Sequence, residues 1–295
     1  MIDTYEAPLV IQDDRGDRFI NKEKFGESFF ILRMDDFPFS LGAAQTQNSN
    51  FSIPEDAGHA GDFEAAGIVA YTNVPFLMSL SEVGIEANSF MNNPIHHNLC
   101  AGFGAFPFVF AETAFFLAGR SVQTTITSLA TSLTGALKIA LVGRKFNSEM
   151  SEEVRAQRAA FLANRPTRPF WLTLDTTSIT LTAGQQNQQA FMTMPSGSHF
   201  AAQDLLFQST GPFEYSIFDA MSGRLLTFGQ SGNAAAQGFV DSRMFGGSGA
   251  LPARMLGSPL IAPRRAMRVV FNDISGATNT IYFTLHGRRM RMPVG

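Results

Sequence analysis

Five histidines and a single cysteine are the side chains of this 295-residue chain best suited to bind zinc or to move protons near neutral pH. His96 and His97 stand together, with Asn98 and Cys100 just behind them. Zinc needs three or four converging ligands, and neighbours on a strand point to opposite faces. There is no second cysteine to complete a set, so the segment after Pro94 reads as a polar loop. No metal and no cofactor are expected. His59 and His199 fall at similar places, each soon after a proline (Pro54, Pro195), and Asp62 and Asp204 follow. A Ser-His-Asp site of the elbow type needs Gly-x-Ser-x-Gly, which the chain lacks, so these histidines read as parts of a structural loop. Gly102-Phe103-Gly104 and Gly246-Gly247-Ser248-Gly249 lack the Gly-Lys-Ser/Thr of a phosphate cradle and read as turns. The expectation is a protein without catalytic residues.

Charge is unevenly placed. Residues 1–64 carry thirteen acids and five bases, a balance of −8, whereas residues 251–295 carry seven arginines and one acid, a balance of +6. Arg264, Arg265, Arg268, Arg288, Arg289 and Arg291 make the basic end a candidate interface, because arginine suits ion pairs with carboxylates. No aromatic-interleaved basic groove accompanies them, so a protein partner fits better than nucleic acid. Opposite poles suit head-to-tail contacts between copies. Arg288, Arg289 and Arg291 are expected just past the last strand, near the surface.

The elements that must position these residues come in two sets. Sliding 116–144 onto 260–288 without a gap matches Ala118 to Ala262, Arg120 to Arg264, Thr134 to Thr278, Leu141 to Leu285, Gly143 to Gly287 and Arg144 to Arg288, and pairs Phe116 with Leu260. Earlier, Phe30, Leu32, Asp35, Leu41, Ala43, Gln45 and Phe51 fall on Phe170, Leu172, Asp175, Leu181, Ala183, Gln185 and Phe191. Pro75-Phe76 with Ser79 recurs as Pro212-Phe213 with Ser216. Order is kept over nearly the whole chain, which predicts two tandem copies of one fold. Leu137–Leu141 and Ile281–Leu285 alternate with period two, and 121–128 is β-branched, so both copies read as strands with one buried face.

The expected fold is therefore all-β: two antiparallel, jelly-roll-like β-sandwich domains at 29–147 and 169–295, from an internal duplication. An N-terminal extension occupies 1–28, and a helical linker, with acids in its first turn and arginines later, occupies 148–168. One cysteine forbids an intrachain disulfide. No basic n-region with an apolar core opens the chain. The apolar run 99–119 is long enough to span a membrane, but its second-copy counterpart holds Pro259, Pro263, Arg264 and Arg265, so no membrane is expected. Twenty-nine phenylalanines with 16% charged residues fit a surface partly covered by neighbours.

Ser209-Thr210-Gly211-Pro212-Phe213, Ile217-Phe218-Asp219, Ser222-Gly223-Arg224, Pro259-Leu260-Ile261 and 279–288 together resemble the β-sandwich modules of tailed-bacteriophage virion proteins. The likeness covers most of 170–290 and, through the repeat, more faintly 29–146. Gly84-Ile85-Glu86-Ala87 departs from it where Ser222-Gly223-Arg224-Leu225 would stand. The resemblance implies a non-enzymatic neck or head-to-tail connection protein forming a symmetric oligomer. Its implied partners are copies of itself and virion proteins such as portal, adaptor, capsid or fibre, in a virion assembled in the host cytoplasm. Alternatives are a capsid decoration protein or a carbohydrate- or receptor-binding sandwich of a tail or fibre. One Trp and four Tyr give little material for a glycan site.

Overall fold

The computed structural model describes residues 27–54, 61–83, 89–104, 106–131, 135–146, 167–226, 238–255 and 259–291. Most of the extension and of the helical linker lies outside these. Glu27-Ser28 and Thr167-Arg168 instead begin strands, so the sandwiches start about two residues earlier than the sequence pattern indicates.

The first half runs β1 (Glu27–Arg33), β2 (Phe39–Leu41), β3 (Thr46–Ser52), β4 (Phe63–Thr72), β5 (Phe76–Glu82), β6 (Ile95–His96), α1 (His97–Cys100), β7 (Phe108–Phe116), β8 (Ser121–Ser128) and β9 (Gly135–Phe146). Its sheets are ordered β1-β9-β4-β7 and β3-β8-β5-β6. Setting aside short β2, the eight strands pair first with last, second with seventh, third with sixth and fourth with fifth. A long antiparallel ribbon rolled up on itself gives that order, the jelly roll. Alternation drives the packing: Val122, Thr124, Ile126 and Ser128 of β8 point inward, as do Leu137, Ile139 and Leu141 of β9.

The second half repeats the path with β10 (Thr167–Thr173), β11 (Ile179–Leu181), β12 (Gln188–Thr193), β13 (Ser198–Ser209), β14 (Phe213–Asp219), β15 (Val240–Asp241), β16 (Ala253–Arg254), β17 (Leu260–Ile261), β18 (Ala266–Asp273) and β19 (Asn279–Arg291). Its sheets are ordered β10-β19-β13-β16 and β12-β18-β14-β15. Leu141 and Leu285 face the two cores from equivalent rungs, opposite Leu32 and Leu172.

The matched polar residues do the same local work in both halves. Asp35 accepts from the Ser52 N–H (3.1 Å) and Oγ (2.7 Å), as Asp175 does from the Thr193 N–H (2.9 Å) and Oγ1 (2.6 Å). Gln45 Oε1 accepts from the Gly42 N–H at 3.1 Å, and Gln185 Oε1 from the Thr182 N–H at 2.8 Å. Register slips at one place in each half, between Ala65 and Gly67 and between Ala202 and Asp204. Gly143 and Gly287 lie against these bulges. A Cβ there would meet Glu64 O at 1.9 Å or Ala201 O at 2.0 Å, so glycine is required by close backbone approach.

Register corrects four of the matches. The Arg120 N–H donates to Leu117 O as the Arg265 N–H donates to Ala262 O, so Arg120 answers to Arg265 and Ala118 to Pro263. Phe63 pairs Phe116 while Phe200 pairs Ile261, so Ile261, not exposed Leu260, is the counterpart of Phe116. Val122 pairs Phe51 while Met267 pairs Met192, so buried Met192, not exposed Phe191, stands for Phe51. A one-residue slip exchanges faces, and an ungapped match cannot see it. Arg288, Arg289 and Arg291 also do not follow the last strand. They are inside it, because Ser198–Ala201 continues to supply backbone partners past the bulge. Gly143→Ala and Gly287→Ala should each cost about 1–3 kcal/mol by forcing the strands apart, read as a lower urea midpoint. An unchanged midpoint for both would show that the bulges can relax.

Candidate assembly interface

β19 shows what sets the halves apart. Ile281, Phe283 and Leu285 face the second core, as alternation requires, yet Thr284 and His286 on the opposite face are fully buried too. On its neighbours, Trp171 and Thr173 of β10 and Asp204 and Leu206 of β13 share that outer face and are equally buried. Trp171 and Leu206 belong to the apolar cluster of the first half. This sheet is sandwiched between its own jelly roll and the other one.

Three elements of the first half cover it. Residues 90–92 run beside β10: the Trp171 N–H donates to Phe90 O (2.9 Å), and Met91 bridges Trp171 in parallel register. Asn92 extends the ladder with its side chain, donating to Thr173 O (2.9 Å) and accepting from the Thr173 N–H (2.8 Å). α1 crosses β13, where Asn98 Nδ2 donates to Gln208 Oε1 at 3.2 Å and Asn98 O accepts from the Gly249 N–H at 2.5 Å. β7 leaves β4 between Val109 and Ala114. That detour sets Phe110 edge-on to Trp171 at 5.4 Å, and Phe108, still paired with Ile68, lies 4.7 Å from His286. At its margin Arg168 Nη1 meets Glu82 Oε2 at 3.1 Å, and Thr167 donates to Glu112.

A polar chain is enclosed in this contact. The Ala111 N–H donates to His286 Nε2 at 3.4 Å, so the ring proton sits on Nδ1 and is donated to Asp204 Oδ2 at 2.9 Å. Arg254 Nε donates to Asp204 Oδ1 at 3.2 Å. Burial lowers the pKa of His286 more than Asp204 raises it, so the imidazole is neutral. Burial alone would raise Asp204, but the bonds from His286 and Arg254 outweigh it and hold the carboxylate ionised. Both nitrogens of His286 are engaged, by the Ala111 N–H and Asp204, and among the described residues no hydroxyl or thiol is bonded to it. The His-Asp pair is thus a satisfied buried pair that fastens a backbone N–H of one half to the other.

His96 and His97 lie in the same contact. Their rings stack at 4.6 Å, His97 stacks on Phe76 at 4.7 Å, and His96 lies 4.8 Å from Tyr282 across the interface. Each Nδ1 accepts a backbone N–H, from Asn98 and Phe76 respectively, both at 3.3 Å. Burial, with His97 alongside, pushes His96 down to about 3, and burial pushes His97 to about 4. Burial also raises the pKa of Cys100. Among the described residues no group of three or more His, Cys, Asp or Glu is placed to hold a metal. No helix there is long and apolar enough to cross a membrane; the run 99–119 holds the end of α1 and all of β7.

His59 lies outside the described residues. Asp62 accepts from the Ala118 N–H at 3.1 Å, and Asp204 pairs with His286 rather than His199. The six arginines divide between two sheets. Arg265 pairs with Asp219 at 3.1 Å, Arg268 lies 4.9 Å over Phe218, and Arg264 occupies the turn before β18 with φ +58°. On the other sheet Arg288 is exposed, and Arg291 ends the strand opposite Ser198. Arg289 bonds Ser198 Oγ (2.9 Å) and, across the interface, Ser89 O (3.4 Å). Sequence reasoning missed the Trp171, Asp204 and His286 cluster. The visible signal was the chain's one Trp, and a His standing where the first copy has Val142.

No known family profile matches the chain, and no curated protein does. Among solved structures, similarity was found to a chain from the triple jelly-roll turret assembly of an archaeal virus. Identity is 11% and TM-score 0.24, over 92% of this chain and 60% of that one. Tripeptidyl peptidase 2 follows at 9% and 0.22, with 88% of this chain covered and 24% of that one. Infectious bursal disease virus gives 7% and 0.14, with 93% and 82% covered. The chain thus spans less than two thirds of the first two, and at such scores the likeness establishes neither topology nor function.

Stability should fall with acid. Unfolded histidines protonate below about pH 6.5, whereas His96, His97 and His286, depressed by burial, stay neutral in the folded chain. Each therefore removes about 1.4 kcal/mol per pH unit below 6.5, until its folded pKa is reached. Asp204, also depressed, adds its loss only below about pH 4. Urea midpoints should drop between pH 7.5 and 5; a flat profile would mean these rings are solvated. Trp171→Ala should cost about 3–5 kcal/mol in the same assay.

Proposed function

We propose that this chain is a non-enzymatic structural subunit of a virion, built from a duplicated jelly-roll module and assembled as a symmetric oligomer. One observation carries the reading: the residue types that could do chemistry, His96, His97, Asp204 and His286, are spent on packing one jelly roll against the other. Jelly rolls serve viral shells, lectins and cupins alike, so the fold class alone is analogy. What favours a shell is the joining itself. The flank of one module is fitted to the sheet face of the next, a contact that extends by repetition.

The tailed-phage likeness rests on loop chemistry. Asn279 accepts from the Gly211 N–H (2.9 Å) and donates to Gly211 O (2.9 Å), and Asp219 accepts from the Met221 N–H (2.9 Å). Such turns recur wherever strands reverse, so they support a virion sandwich without favouring neck over shell. Electron microscopy of the purified full chain should show symmetric rings or sheets, and antibody to the chain should decorate virus particles. Particles left bare, together with saturable binding on a glycan array, would replace this reading with the receptor-binding one.

A further inference from the structure

We propose that the outer face of the first jelly roll binds the second jelly roll of another copy of this chain, repeating the contact made within the chain. The inference deepens the assembly reading above and rests on it only for its biological setting.

Register makes the two outer faces comparable rung by rung. Ile31, paired with Val142, stands where Trp171, paired with His286, stands in the second half. By the same pairing Val142 and Gly67 replace His286 and Asp204. In the second half this face is buried. In the first it is open, and apolar apart from Lys138 and from Arg33 in the place of Thr173: Ile31 is 49% exposed, Tyr71 72% and Val109 62%. Adjacent loops agree. Gly102 bridges Val69 in parallel register as Gly247 bridges Leu206, and each opens a hairpin closed by two reciprocal backbone bonds. In the second half that hairpin is packed, since a Cβ on Gly249 would meet Ala101 O of the first jelly roll at 2.4 Å. In the first half Gly104 has open space at the same point, between exposed Phe103 and Phe106.

The incoming surface follows from the same registers. Leu77 pairs His96 where Glu214 pairs Asp241, so Asp241 occupies the place of His96. The Phe76 N–H donates to His97 as the Phe213 N–H donates to Ser242, which extends the match past the strand. Arg243 then falls in the place of Asn98. Within the chain His96 meets Tyr282 and Asn98 meets Gln208. The residues equivalent to those two targets are Lys138 and Tyr71, neighbours across β9 and β4. Asp241 and Arg243 bond to each other on that flank, and repeating the contact between copies sets Asp241 of this pair against Lys138 and its Arg243 against Tyr71. The first is an ion pair and the second a cation on an aromatic face. Both targets are exposed. Charge and shape thus agree on a second copy as the occupant. The contact is heterologous, so rotation by a closing angle gives a ring of chains.

Sedimentation velocity on the full chain tests this, with Lys138→Glu, with Lys138→Glu combined with Asp241→Lys, and with Tyr71→Cys combined with Arg243→Cys. The wild type should sediment as a closed oligomer. Lys138→Glu should associate at least about tenfold more weakly, and the exchanged pair should recover. Under oxidation the cysteine pair should join separate chains on a non-reducing gel; Cys100 is buried and serves as the control. A wild type that stays monomeric at all concentrations overturns both this contact and the assembly reading. An oligomer that ignores the charge reversal and forms no inter-chain disulfide overturns the contact alone.

Discussion

The buried outer face of the β10-β19-β13 sheet is the constraint on which the rest of the molecule depends. A sheet in a two-layer sandwich normally keeps one face wet, and polar residues there need no partner. Once that face is covered, its polar atoms can be satisfied only from within; among the described residues Trp171 Nε1 has no partner, whereas the hydroxyls, carboxylate and imidazole beside it are paired. Thr284 Oγ1 donates to Thr173 Oγ1 at 3.0 Å, which in turn donates to Phe283 O at 3.1 Å. Asp204 is held between His286 and Arg254. His286 is thereby held in one neutral tautomer, and the acid sensitivity of the fold follows from its burial together with that of His96 and His97.

Covering a sheet also requires a backbone that can reach it. β7 is an edge strand, free to leave its partner without breaking an interior ladder, and its detour supplies Phe110 and the Ala111 N–H beside Phe108. Residues 90–92 meanwhile occupy the exposed edge of β10, so one element contributes apolar cover and also removes a sticky edge.

Strand type, the repeat and the two-layer architecture were legible because period-two alternation and the Asp, Gln and Gly devices belong to single jelly rolls. Leu141 with Leu285, Asp35 with Asp175, and Gly143 with Gly287 could be paired by eye. The offsets around Phe51 and Phe116 could not, since loop lengths differ and apolar residues occupy adjacent rungs of both faces in the second half. The contact between halves was least legible. It joins 90–111 to 171–286, positions without shared spacing, and its key side chains look like ordinary strand polars until the covering face is known. The placement of the arginines was not legible for a related reason: they are close in sequence but divide between two sheets.

The turn and bulge devices that shape a single roll agree between the halves, and the outer faces of the two equivalent sheets differ. Trp171 against Ile31, His286 against Val142, and Asp204 against Gly67 all fall on the same side of equivalent strands. Each module must turn and bulge in the same way, so these devices stay alike, while core positions such as Phe51 and Met192 exchange one apolar residue for another. External demands differ, because one face meets a fixed neighbour in the same chain. That neighbour is always present, so the face can hold a buried carboxylate and imidazole whose partners never leave. A face that must also exist uncovered cannot carry such a pair without hydrating and dehydrating it at each encounter, which is costly for charges. Ile31, Val142 and Gly67 avoid that cost. They place apolar surface between the charges, which fall on Lys138 and Arg33, as suits a contact made between separate chains.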